Sequence, residues 1–286
     1  MQRNSPVAQA ALRERIDAAL GAFLEERRRA LASVHPETAV MVEEIARLLD
    51  AGGRRLRPVF AYQGYLAGGG EDDGAMIAAA SSLELVHVMA LIHDDVMDGA
   101  SERRGVPSVH RALEARAAAR GAPGPRDEGR ALAILTGDLA SVLADEMLIT
   151  SGFEPRCVGV ALARSYRMRL AMAAGQYLDV TGATTSPETL AGLKGGAYTV
   201  EGPLLIGAAL AGAPEPVEAC LRAYGDPLGV AFQFLDDLRD GDAAASVDRA
   251  TVDRLLGRAA AALDPAVLPG DVREALRDLI DLVGET

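Results

Sequence analysis

Two short runs of the sequence carry carboxylates in one arrangement: Asp94, Asp95 and Asp98 in HDDVMD, and Asp236, Asp237 and Asp240 in FQFLDDLRD. On a helix the first and fifth residues of such a run share a face, and the second lies about 100° round, so all three can line one edge. Like charges crowded at the C-terminal end of a helix repel one another and oppose its macrodipole. A solvated acidic helix end explains either run alone, but the repetition favours chemistry. Carboxylate oxygens are hard ligands, and one or two of them per ion, completed by phosphate oxygens, is what Mg²⁺ prefers. Paired clusters therefore suggest metal ions and a diphosphate held between them.

A diphosphate also needs donors. GGRRLRP, residues 52–58, opens a helix with glycines and offers Arg54 and Arg57 three apart, where they could share a face and grip phosphate oxygens. Arg103 and Arg104 lie in the loop just after the first acidic run. They could neutralise it or bind the anion that the metal holds. Lys194 is the one lysine among 29 basic residues. A compact ammonium differs from a planar guanidinium, and its retention at one place suggests a site that takes only lysine. His87 and His93 lack the i, i+4 partner of a zinc pair, so core histidines are the ordinary reading. On a helix lining a phosphate pocket, His87 could donate to a phosphate and His93 could orient Asp94.

The elements that must position these residues read as helices throughout. Apolar residues recur at three- and four-residue spacing, and alternating β-branched runs with hairpin turns are missing. Helices are expected near 8–33, 37–51, 56–67, 74–98, 128–151, 155–181, 187–211, 214–239, 248–263 and 269–283. No sharp linker and no fixed-period repeat divides the 286 residues, so one all-α domain over 1–286 is the expectation. The formal charge of −12 argues against a nucleic-acid or anionic-membrane surface. Cys157 and Cys220 form neither a metal-ligand spacing nor a disulfide framework, which fits a reducing cytoplasm. The N-terminal stretch is amphipathic and charged, without the apolar core of a signal peptide or a transmembrane segment, so a soluble cytoplasmic protein is expected.

In order along residues 50–240, the motifs GGRxxRP, HDDxxD, RRGxP, GQxxD, a lone Lys before YTVEGP, and FQxxDDxxD resemble those of the trans-isoprenyl diphosphate synthases. GQYLDV and KGGAYTVEGPLLIGAALAG are especially similar to bacterial members. The resemblance implies the isoprenoid synthase fold, an antiparallel helix bundle around a central pocket, commonly as a homodimer. It implies that Asp94, Asp95, Asp98, Asp236, Asp237 and Asp240 bind Mg²⁺, up to three ions per site, bridging to an allylic diphosphate. Arg103 and Lys194 would hold that group. Arg54, Arg57, His87 and Arg104 would hold isopentenyl diphosphate, while Gln176, Asp179 and Gln233 line the substrate surroundings. The reaction is loss of diphosphate to an allylic carbocation, attack by the isopentenyl double bond, and loss of a proton, with no protein nucleophile. Met89 and Ala90, just before the first acidic run, stand where the family sets product length. Neither is aromatic, which points to a geranylgeranyl rather than a farnesyl product.

The chain departs from the family pattern in three places. Arg54 replaces a usual lysine, and Gly195 follows Lys194 where threonine is frequent. After LRDGD the family's further lysine-bearing segment, which closes over the allylic diphosphate, has no counterpart, and two readings stay open: a domain naturally shortened after residue 240, with a reduced lid, or a loop omitted from the sequence. That gap keeps a second class open: a non-catalytic diphosphate-binding partner subunit of a prenyl synthase. A class I terpene cyclase fits less well, because Asp237 is followed by Leu238, Arg239 and Asp240, with alanine at the position of that family's metal-binding glutamate.

Overall fold

The computed structural model describes residues 6–240 and 247–284, with side chains from residue 9 and excluding that of Asp240. The expected all-α class holds. The helices are α1 (Pro6–Val34), α2 (Ala39–Asp50), α3 (Leu56–Ala67), α4 (Gly74–Asp98), α5 (Val109–Ala119), α6 (Pro125–Ile149) and α7 (Pro155–Thr181). They continue with α8 (Pro187–Ala191), a π-helical segment (Gly192–Glu201), α9 (Gly202–Leu210), α10 (Glu215–Asp240), α11 (Arg249–Ala261) and α12 (Gly270–Gly284). The helices divide between two compact units, neither continuous in sequence. One lies within Met1–Arg13, Leu56–Met76 and Gly152–Thr286, the other within Glu14–Arg55 and Ile77–Ser151.

Local chemistry sets the ends of the helix that carries the first acidic run. The Asp73 carboxylate accepts the Met76 N–H at 2.8 Å, capping α4 at its start. Gly99, with φ of 66°, ends it. Among the described helices α4 alone is long and apolar enough to cross a membrane, yet 67 % of its most apolar stretch is buried within the protein. Its apolarity is that of a core helix, with Leu83, Leu85, Val86, Val88 and Ile92 all at 1 % exposure or less.

Three features differ from the periodicity reading. A two-residue antiparallel ladder, β1 (Glu102–Arg103) and β2 (Val106–Pro107), follows α4. Its turn residues, Arg104 and Gly105, both have positive φ, 55° and 75°, as a two-residue hairpin of the primed type requires. Helix α5 was not expected, because its buried face consists only of Val109, His110, Leu113 and Ala117, a weak apolar stripe. The single helix expected over 187–211 is three pieces, since the backbone widens to π geometry between Gly192 and Glu201.

Within the first unit, α3 and α9 approach backbone to backbone. A methyl on Gly64 would sit 2.8 Å from the Leu204 carbonyl carbon, and one on Gly207 would sit 2.8 Å from the Ala61 carbonyl carbon and the Tyr65 nitrogen. Side-chain-free surfaces on both helices permit this spacing.

Candidate active site

In the unit that carries the first acidic run, the β1–β2 hairpin folds Arg103 back onto α4. Its Nε and one terminal nitrogen donate to Asp95 Oδ1 at 2.8 and 2.5 Å, and that same nitrogen reaches Asp94 Oδ2 at 3.3 Å. Asp95 is wholly buried, and its second oxygen, Oδ2, has no hydrogen-bond partner. Burial pushes the Asp95 carboxyl above its ordinary range, against the pull of Arg103. Burial opposes the charge on Arg103 in turn, but its hydrogen bond to Asp95 and the fields of Asp94 and Asp98 outweigh that cost and raise its pKa. Asp94 is half-buried and Asp98 exposed. The root of the hairpin is fixed by Ser108, whose hydroxyl donates to the Ala100 carbonyl at 2.7 Å and lies 3.2 Å from His110 Nδ1. Burial lowers the pKa of His110, favouring the neutral ring.

Arg104, with its left-handed backbone, turns the opposite way. It donates to the Gly52 carbonyl, reaches Leu48 O at 3.4 Å and lies 3.3 Å from His87 Nε2. Arg104 and His87, expected together on sequence grounds, are thus adjacent. His93, expected to orient Asp94, has its Nε2 3.2 Å from the Ile134 carbonyl and 3.9 Å from Asp138. Met89 and Ala90 are half-buried on α4.

The GGRRLRP segment corrects one expectation. Residues 52–55 are not helical and α3 begins at Leu56, so Arg54 and Arg57 do not share a helix face. Arg54 is half-buried before the helix. The residue that spacing overlooked is Arg55, 6 % exposed with φ of 52°. It donates to Asp17 Oδ1 at 2.7 Å, to the Leu49 carbonyl at 2.9 Å and to buried Glu84 at 3.3 Å. A left-handed arginine has no sequence signal, and only its neighbouring glycines hint at an unusual backbone.

In the other unit, Arg57 lies over the Tyr198 ring, 4.0 Å from its centroid, and donates to Thr199 Oγ1 at 2.9 Å. Lys194 Nζ pairs with Asp179 Oδ2 at 2.5 Å. Gln176, three residues before Asp179 on α7, is half-buried. Gln233 Nε2 donates to Asp237 Oδ1 at 2.7 Å, and Asp236 faces Arg239 at 3.6 Å. The expected role of Asp240 and the expected shortening after residue 240 fall outside the described side chains.

Among the described residues no three His, Cys, Asp or Glu side chains form a group placed to hold a metal ion by themselves. The donor set still suits a hard cation that takes few protein ligands: Asp95 offers a buried, unpartnered carboxylate oxygen, and Asp94 and Asp98 are within one turn of it.

The polyprenyl synthetase family model matches residues 38–253. The chain is 31 % identical over 231 residues to the short chain isoprenyl diphosphate synthase of Methanothermobacter thermautotrophicus, an alignment covering 76 % of this chain and 62 % of that protein. It is 33 % identical over 249 residues to the chloroplastic geranylgeranyl pyrophosphate synthase of Capsicum annuum, covering 79 % of this chain and 63 % of that one. A crystal structure of geranylgeranyl pyrophosphate synthase from Corynebacterium glutamicum, complexed with isoprenyl diphosphate and magnesium, superposes with a TM-score of 0.85 at 28 % identity, over 96 % of this chain and 98 % of that one. The chain belongs to the polyprenyl synthetase family. It spans a little over three fifths of the length of these two curated relatives.

Proposed function

We propose that the protein is a Mg²⁺-dependent trans-prenyltransferase that condenses isopentenyl diphosphate with an allylic diphosphate, giving geranylgeranyl diphosphate. The observation that carries this reading is the Arg103 bridge across Asp94 and Asp95, with Asp95 Oδ2 buried and unpartnered beside it. An uncompensated carboxylate oxygen at the edge of a core costs free energy that a bound cation offsets. A scaffold subunit has no physical need for it.

Asp94, Asp95 and Asp98 would hold Mg²⁺ in one unit, and Asp236, Asp237 and Asp240 in the other. When bound, the metal supplies positive charge to the departing diphosphate. Arg103, already oriented by the aspartates, adds a fixed cation toward the allylic diphosphate, as does Lys194 once it exchanges Asp179 for phosphate oxygens. Arg54, Arg57, His87 and Arg104 are assigned to isopentenyl diphosphate. Gln176, Asp179 and Gln233 orient these groups, Gln233 through Asp237. The apolar residues of α4 exclude water from the cation, and the unbranched Met89 and small Ala90 leave room for a long chain.

The enzyme acts as a soluble cytoplasmic homodimer, with 1–286 forming one synthase domain. The dimer reading rests on exposed apolar side chains of α6 (Leu135, Val142, Ile149) and of α7 (Tyr166, Leu170, Tyr177, Val180). The test is mass spectrometry of products after incubation with Mg²⁺, isopentenyl diphosphate and, separately, dimethylallyl, geranyl and farnesyl diphosphates. A geranylgeranyl product is the expected result. No product from any starter, in protein that binds diphosphate, sinks the reading in favour of the non-catalytic partner subunit.

A further inference from the structure

Arg57 is more confined than a surface diphosphate anchor needs to be. Its side chain is nine-tenths buried, its guanidinium stacks on Tyr198, and one terminal nitrogen is tied to the Thr199 hydroxyl. Its Nε is buried with no acceptor. A planar cation held on one face by a ring and at one edge by a hydroxyl keeps a single orientation, with its remaining donors in one plane. Tyr198 and Thr199 are themselves buried, at 5 % and 1 % exposure, so neither clamp can swing away.

The backbone explains why the clamp meets the arginine. Arg57 touches Thr199, Gly64 faces Leu204, and Gly68 faces Ala211, so α3 runs alongside the π-helical segment and α9 in one direction. The backbone-close packing at Gly64 and Gly207 fixes that register.

We infer that Tyr198 and Thr199 are positioning residues for Arg57, holding its guanidinium so that the unpartnered Nε edge receives the diphosphate of the non-allylic substrate. This rests on the synthase reading for the identity of that substrate. The two residues lie four and five positions after Lys194 on the same π-helical segment. One segment thus sets the geometry of an anchor for each diphosphate.

The test is calorimetric binding of isopentenyl diphosphate to the full chain, with turnover measured on the same preparations. Tyr198→Leu removes the stacking face and is expected to weaken binding about tenfold, whereas Tyr198→Phe keeps the face and stays within about twofold of wild type. Thr199→Val, nearly isosteric, is expected to weaken binding several-fold by leaving a buried N–H without an acceptor. In steady state the KM for isopentenyl diphosphate rises in Tyr198→Leu while that for the allylic substrate moves less. If the Leu variant loses its helical circular dichroism, Thr199→Val carries the test alone. Wild-type affinity in folded Tyr198→Leu or in Thr199→Val overturns the inference, as does a wild-type chain that does not bind isopentenyl diphosphate. Wild type that binds it, responds to these substitutions and makes no product overturns the synthase reading and leaves the clamp standing.

Discussion

Asp95 faces two opposed demands: burial favours its neutral form, and Arg103 favours the charged one. Replacing Asp94 and Asp95 together by Asn removes both negative charges that face Arg103 and the carboxylate assigned to metal. Mg²⁺-dependent turnover should disappear while the helical circular dichroism spectrum is kept; retained turnover would exclude this run as the metal site. Glu201, at the end of the π-helical segment, gives a pH-dependent prediction. Burial first, then the field of Asp226, raises its carboxyl pKa above the ordinary 4.5. The folded state therefore binds this proton more tightly than the unfolded chain. The resulting stabilisation is present in full below pH 4.5 and is lost as pH rises through the folded pKa. Glu201→Gln should melt above wild type at pH 7 and together with it near pH 4, as read by thermal denaturation; equal melting temperatures at pH 7 would exclude a buried charge there. At this scale the sequence was legible where chemistry repeats: the aspartates, Arg103 and Lys194 stood out by type and spacing. Arg55 and Tyr198 did not, because their roles depend on a left-handed backbone and on a neighbouring helix.

Secondary elements were legible where apolar residues recur at helical spacing over a long run. The long helices α4, α7 and α10 follow from their periodicity. Helix α5 escaped because alanine and a buried histidine make up half of its inner face. The π geometry between Gly192 and Glu201 escaped because its hydrogen-bond register leaves no mark on residue spacing. The contact of α3 with α9 carries an element-scale prediction. A methyl at Gly207 would meet the backbone of Ala61 and Tyr65 on the other helix, and no flexible side-chain end is there to yield. Gly207→Ala should cost ~3 kcal/mol or more of stability by denaturant titration. A loss within error would mean that the two helices part easily, and with them the register that places Arg57 on Tyr198.

For the whole molecule, the all-α class followed from the apolar spacing and family membership from the ordered motifs, while the division of described contacts into two sequence-interleaved units had no counterpart in composition or loop length. The proposed dimer is an assembly-level prediction. Tyr166, Leu170 and Tyr177 of α7, spaced four and seven residues apart, leave 48 %, 71 % and 70 % of their surface exposed. Introducing charge there, as in Leu170→Glu with Tyr177→Glu, should convert a dimer to monomer by light scattering. A dimer that persists would place the subunit contact on another face.

The solitary lysine has a consequence unrelated to phosphate. An endoproteinase specific for lysyl bonds finds a single cleavable bond in all 286 residues, after Lys194. That bond lies inside the π-helical segment, whose backbone must unwind before a protease can grip it. The cutting rate is thus a clock for the opening of this one segment, with two fragments on a gel as its hands.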